Sequence, residues 1–418
     1  MKRAIAGTCV FADRVEKKRI EFSLETGLIT AIDEIGTQSS LETEVFGEDC
    51  LIYPAMGDIH IHAREDQSGQ HLYKEDFLTA SAAAIHGGVG FAADMPNNPV
   101  PPIDEISYQA KEHLAQKSLI PLCLYAGIGP KTRPLQRIVP YKVYMGPSIG
   151  HLFFKNTQEL RQCLEHYRGQ WVSFHCEDPE VLSSCEQESW HEDRRPERAE
   201  VLATKTALEL IKEFDLKGKL CHFSTGDGLE LVIQAKNAGL NVTCEVTPQH
   251  LYFSTADLLA MEEGERIKMQ MNPPIRKESD RKSLLRALKN GHIDFLATDH
   301  APHSLEEKLK GHSGLCGLDT YAPFVTWLLL EQNLSPQMVH LVCCQNPGEF
   351  LNRFLPSRGK GFGKLSVGHS ASFTVLNLQR PTLVKMEDLK TKTAQSPFLG
   401  KTFPGSLQAL YLHGVKLS

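Results

Sequence analysis

The sequence predicts an α/β protein: a (β/α)8 TIM-type barrel carrying a small β-sandwich domain built from both chain ends. Three observations predict it. Eight short apolar or β-branched runs between residue 51 and about residue 300 alternate with amphipathic helical patterns, as in βαβ units around a parallel sheet. Residues 1–50 and 355–418 instead show short alternating strands broken by Gly, Asp and Ser. The 418 residues, 41% apolar, supply one large core and a smaller accessory one.

The expected barrel strands are, in order, Leu51–Ile59, Gly88–Met95, Leu119–Gly127, Tyr141–Met145, Trp171–Cys176, Lys219–Ser224, Asn241–Val246 and Ile293–Thr298. Helical patterns over Glu75–His86, Gln158–Tyr167, Arg198–Phe214, Asp227–Ala238 and Glu278–Asn290 fill most of the intervals. In the last, Leu284, Leu285 and Leu288 share one face at helical spacing. Eight such units in about 250 residues is the size of a barrel. The competitor, an open doubly wound sheet, usually carries a Gly-rich phosphate turn after its first strand. Here Asp58-Ile59-His60-Ile61-His62 stands in that place.

Strands expected at Arg19–Ser23, Leu28–Ile32, Ser372–Leu378 and Leu407–Leu412 belong to tails too short to bury a core alone. Their pairing gives the predicted organisation: 1–52 and 355–418 as the two parts of the β-sandwich domain, 53–354 as the catalytic barrel.

Composition narrows the partner. The formal charge of −6 is spread along the chain, which argues against a nucleic-acid or anionic-membrane surface and for a small-molecule substrate. Eleven scattered cysteines without CxxC pairs fit buried thiols in a reducing compartment. The apolar run near Met1 is short and meets Asp13 and Arg14, and no stretch approaches the roughly 20 apolar residues of a membrane helix. A cytoplasmic protein is expected.

Histidine, at 18 copies, is the residue to follow, since imidazole is the commonest metal ligand. His60 and His62 sit two apart at the end of the first expected strand, so both side chains face one way and can grip one ion. An isolated HxH pair more often binds nothing; its position at a strand end gives this one weight, because barrel strands converge on the active site there. His175 closes the fifth expected strand, His222 lies near the end of the sixth, and Asp299 follows the eighth. Singly, each histidine reads as a satisfied core residue and Asp299 equally as a helix cap; four histidines and an aspartate at four strand ends are hard to explain as accidents. Lys142, at the start of a short apolar run, reads from the residues alone as a snorkelling lysine.

At these residues the chain resembles the amidohydrolase superfamily, and within it the dihydroorotases, over nearly its whole length. The motifs are Asp58-Ile59-His60-Ile61-His62-Ala63-Arg64, Tyr73-Lys74-Glu75-Asp76-Phe77, Met95-Pro96-Asn97 and Val242-Thr243-Cys244-Glu245-Val246-Thr247-Pro248. Asn272-Pro273-Pro274 and Asp299-His300-Ala301-Pro302-His303-Ser304-Leu305-Glu306-Glu307-Lys308 continue the series. The resemblance implies two Zn2+ ions per subunit: His60, His62 and Asp299 on the first, His175 and His222 on the second, and a carboxylated Lys142 as bridge. Some dihydroorotases lack that lysine and use fewer metals, so a one-metal site stands as the alternative. The implied reaction is the reversible cyclisation of N-carbamoyl-L-aspartate to (S)-dihydroorotate in de novo pyrimidine (UMP) biosynthesis, with Asp299 as general base and acid. A homodimer and an association with aspartate transcarbamoylase are arrangements the resemblance admits.

Dihydroorotate carries a ring carboxylate that hydantoin and dihydropyrimidine rings lack. Arg64, two residues beyond His62 and expected on the same face, offers a planar fork suited to it. Asn97 and His303 match the family's other carboxylate-contacting positions and Asn272 one that contacts the ring, while Gly314 and Leu315 in the loop 311–318 are assigned to backbone contacts. Without the family, Asn97 is a turn residue, His303 a loop residue near a helix start and Arg64 a surface charge. Ala63 and Glu65-Asp66-Gln67 depart from the family pattern beside the site. The alternatives are another cyclic-amide hydrolase (dihydropyrimidinase, hydantoinase or allantoinase) and a non-catalytic scaffold of the same fold.

Overall fold

The computed structural model describes residues 1–36, 40–146, 152–356 and 359–418. β1 (Lys2–Val10) pairs antiparallel with β2 (Val15–Ser23) and β2 with β3 (Leu28–Glu34). β4 (Thr43–Val45) and β5 (Cys50–Pro54) lie parallel to β1. The barrel strands follow: β6 (Met56–Ile61), β7 (Val89–Asp94), β8 (Leu122–Leu124), β9 (Ala126–Gly127), β10 (Tyr141–Tyr144), β11 (Trp171–His175), β12 (Lys217–Leu220), β13 (Val242–Val246) and β14 (Phe295–Leu296). β8 bonds to β7 and β9 to β10, so the two pieces flanking Tyr125 act as one strand and the count is eight.

Every neighbouring pair is parallel, and the ring closes where the His62 amide donates to the His300 carbonyl at 2.7 Å beside the Ile61–His300 bridge. Helices including Phe77–His86, Glu105–Ala115, Glu197–Glu213, Gly226–Asn237 and Glu278–Lys289 occupy the crossovers. Among the described residues the crossover from β9 to β10 holds none. Ile59, Phe91, Ala93, Tyr125, Phe295 and Ala297 cluster with Phe350 and Phe362, an apolar fill drawn from strands far apart in sequence.

After the barrel the chain returns to the first sheet. β15 (Phe373–Asn377) lies antiparallel between β5 and β18 (Ser406–Leu412), which pairs with β19 (Val415–Lys416); β16 (Thr382–Leu383) and β17 (Thr402–Phe403) form a separate hairpin. The two layers expected of a sandwich are parts of one continuous eight-stranded sheet. It curls until the Ile29 amide of β3 donates to the His369 carbonyl at 2.9 Å, enclosing Ile5, Ile20, Phe22, Ile52, Phe373 and Val375.

Several expected strands change extent. Leu51–Ile59 is two strands, because Pro54 has no N–H to continue a ladder and the Ala55 amide turns to Ser372 O at 2.8 Å. Leu119–Gly127 begins its ladder only after Pro121, for the same reason. The run Lys219–Ser224 ladders only to Leu220, leaving His222 beyond the strand at φ +36°. No helix among the described residues is long and apolar enough to cross a membrane.

Candidate metal centre

His60 ends its stretch of β6 buried, and its Nδ1 meets Glu245 of β13, which Lys219 of β12 holds from the other side. A carboxylate on Nδ1 fixes the proton there and leaves the Nε2 lone pair free, the arrangement that orients metal-binding histidines. Asn97 does the same for His62, its Oδ1 lying 2.6 Å from Nδ1. Both free nitrogens then face one oxygen: Asp299 Oδ1 lies 2.9 Å from His62 Nε2 and 3.2 Å from His60 Nε2. Ligand atoms on a tetrahedral zinc with bonds of about 2.0–2.1 Å stand about 3.3 Å apart, so these three donors fit one ion.

A second pair lies beside them. His175 Nδ1 is 2.8 Å from His222 Nε2, and His175 Nε2 is fixed at 2.7 Å by Glu177 Oε2, whose charge Arg195 balances. His222 Nδ1 is buried with no partner among the described residues. Lys142 is fully buried; its Nζ contacts Cys221 Sγ at 2.8 Å and, among the described residues, pairs with no carboxylate. These two imidazole nitrogens stand close enough to share a cation, whereas a lysine ammonium has no lone pair to offer one.

Burial pushes His60, His62 and His222 well below the usual histidine range, with Lys142, Arg64 and His175 adding to the effect, which favours neutral rings with a lone pair available to a cation. Burial pushes the Asp299 carboxyl up to about 7, against the pull of Lys142. Arg64, His222 and Asp299 all follow barrel strands and all take positive φ, +62°, +36° and +48°. Such backbone is costly for non-glycine residues and recurs at functional sites.

One cavity of about 120 Å3 is lined by His60, His62, Arg64, Asn97, Lys142, His175, His222, Asn272, Asp299 and Gly314, together with Tyr144 and Ser313. Arg64 reaches it otherwise than expected: strand alternation ends at Ile61, and its left-handed turn places the side chain instead. Its Nε donates to Pro302 O at 3.3 Å and Nη2 meets His303 Nε2 at 3.3 Å, while Nη1 is buried without a partner among the described residues. Tyr144 Oη and Asn272 Oδ1 are likewise buried and unpartnered among the described residues. His303 does not line this cavity. It sits behind Arg64, with Lys74 Nζ at 3.4 Å and Glu307 Oε2 at 3.4 Å. Leu315, also outside it, lines an adjoining cavity with His303, and Gly314 lines both.

Sequence reading passed over the groups that orient the ligands. Glu177, two residues beyond His175, and Glu245, an acid inside the apolar run Val242–Val246, carried a legible signal in the cost of burying a carboxylate without a task. Tyr144, two beyond Lys142 on the same face of β10, carried only its register.

Histidine and carboxylate donors gathered at the C-terminal ends of a closed parallel barrel define a metal-dependent barrel enzyme. The chain belongs to the amidohydrolase family, which matches residues 51–416. It is 28% identical over 405 residues to the dihydroorotase of Pyrococcus furiosus, covering 96% of this chain and 89% of that one. To the dihydroorotase of Pyrococcus abyssi it is 30% identical over 365 residues, covering 87% and 82%. Among solved structures it is similar to the L-hydantoinase (dihydropyrimidinase) of Arthrobacter aurescens, with a TM-score of 0.89 at 24% identity over 100% of this chain and 96% of that one. A D-hydantoinase superposes with a TM-score of 0.86 at 20% identity over 100% and 95%. These structures share the barrel with its β domain. Family and donor set together imply a metal cofactor.

Proposed function

We propose that the protein is a dihydroorotase, interconverting dihydroorotate and N-carbamoyl-L-aspartate. The observation that carries the reading is the Arg64 guanidinium, buried at the wall of the metal-ligand cavity with Nη1 unpartnered among the described residues. A buried cationic donor without a partner is costly, and a substrate carboxylate supplies the missing acceptor. Asn272 Oδ1, an unpartnered acceptor in the same cavity, complements a ring N–H. The dihydroorotase relatives support the same substrate.

In this reading His60, His62 and Asp299 would hold one zinc ion and His175 and His222 a second, with Lys142 joining the donor set once carboxylated. The zinc supplies charge that polarises the amide carbonyl and lowers the pKa of the attacking water from 15.7 toward about 7. Asp299 faces the two imidazoles through Oδ1 and uses its other oxygen for the proton. In hydrolysis that oxygen takes the proton from the attacking water and returns it to the ring nitrogen that leaves as the ureido group. In cyclisation it removes a proton from the ureido nitrogen as the ring closes with loss of water. Arg64 orients the ring through its carboxylate, and His303 and Pro302 brace Arg64.

Turnover of dihydroorotate, dihydrouracil, hydantoin and allantoin by the purified zinc-loaded protein tests the reading. Dihydroorotate is expected as the preferred substrate. Preference for a neutral ring would replace this reading with that of a dihydropyrimidinase, hydantoinase or allantoinase, and turnover of none with that of a scaffold.

A further inference from the structure

Lys308 has no place in the chemistry above, yet it is one of the most completely engaged side chains in the molecule. It is 4% exposed and forms no ion pair among the described residues. Its Nζ donates to three backbone carbonyls, Gln270 O, His312 O and Gly314 O, each at 2.8 Å. An ammonium has three N–H donors and here each has one acceptor. A carbonyl can only accept, so the third bond exists only while the amine is protonated. Burial pushes this lysine down to about 7, which marks how much the site asks of those three carbonyls to keep it charged.

The three carbonyls belong to two segments that border the catalytic cavity. Gln270 lies two residues before Asn272, and His312 and Gly314 belong to the loop that crosses between the cavity of about 120 Å3 and the adjoining one of about 230 Å3. Gly314 lines both spaces. The partition is thin there, because the backbone itself is the wall: a Cβ on Gly314, at φ +145°, would stand 2.5 Å from Ala301 O and 3.0 Å from His303 Cδ2. Around it the Gly314 amide donates to Gln270 O at 2.9 Å and the Ala301 amide to Leu315 O at 2.8 Å. Lys308 gathers these strands of chain onto one nitrogen.

We propose that Lys308 is a positioning residue that fixes the loop carrying Gly314 as a wall between the two cavities, and so limits the ring substituents the catalytic cavity accepts. Losing the three bonds releases the wall toward the larger space. A small ring is then held less well, and a ring with a bulky substituent gains room. The kinetic part rests on the cyclic-ureide reading of the site; the loop part does not.

Lys308→Met keeps the length of the side chain and removes every donor. Relative to the unaltered enzyme, KM for dihydroorotate is expected to rise about tenfold or more with kcat within about threefold. The ratio of kcat/KM for 5-benzylhydantoin to that for dihydroorotate is expected to rise by about tenfold. Amide hydrogen exchange should accelerate at residues 312–316 while that of the barrel strands stays unchanged. Lys308→Gln, which keeps an N–H donor group, should give the same local pattern at smaller size, and carries the test if the Met variant does not fold. Unchanged loop exchange in a folded variant overturns the proposal, as does acceleration spread over the whole barrel, the mark of a merely structural lysine. If the unaltered enzyme does not turn over dihydroorotate the proposed reaction fails, while the exchange result still decides the role of Lys308.

Discussion

Asn97 Oδ1 lies 2.6 Å from His62 Nδ1, and that contact decides which nitrogen of the ring faces Asp299. Asn97 is thus both a wall of the cavity and the group that orients a ligand. Removing such a partner costs about 10–100-fold in metal affinity or activity. For Asn97→Ala we expect zinc affinity to fall within that range, measured by competition with a chelator, with the fold intact by circular dichroism. Unchanged affinity would leave Asn97 a substrate contact alone.

Lys142 is buried with its Nζ against the Cys221 thiol and over the Tyr144 ring, and pairs with no carboxylate among the described residues. Lys142→Ala is expected to lower zinc per chain by about one ion and activity by orders of magnitude, read by elemental analysis and turnover after loading with zinc and bicarbonate. Full retention of both would make it an ordinary lysine.

Glu200 reaches from its helix to the turn after His222, where Oε1 accepts from the Ser224 amide at 3.0 Å and the Thr225 amide at 3.4 Å. Burial raises its carboxyl from 4.5 to about 7, with Arg276 and the Ser224 hydroxyl and amide opposing. Between those values the folded chain holds a proton that the unfolded chain has released. The stabilisation from this group is therefore present below about pH 4.5, fades as pH rises to about 7 and is constant above, a change on the order of 3 kcal/mol. Glu200→Gln, which cannot titrate, should flatten the fall in stability across that window, as read by urea unfolding at several pH values.

That four histidines and Asp299 gather at one cavity was legible because a parallel barrel brings its strand ends together, so each needed only its own strand to be found. Of the groups that orient them, Asn97 was singled out for a substrate contact and Glu245 was not, since the His60–Glu245 contact joins residues far apart in sequence and depends on how the strands fall into register. Arg64 was placed in the right cavity by an expectation of strand alternation that the backbone does not follow. In the terminal sheet, Pro54 and Ala55 divide one apolar run between two sheets, a change of partner that hydrophobicity does not encode.

The central claim is that one cavity joins a metal centre to a carboxylate reader. Arg64→Met tests it most directly, measured as kcat/KM for dihydroorotate against dihydrouracil alongside zinc content. Losing one partner of a buried charge pair costs about 2–5 kcal/mol, so turnover of dihydroorotate should fall about 30-fold or more, with zinc content unchanged and dihydrouracil barely affected. Unchanged dihydroorotate turnover in a fully zinc-loaded variant would contradict the account.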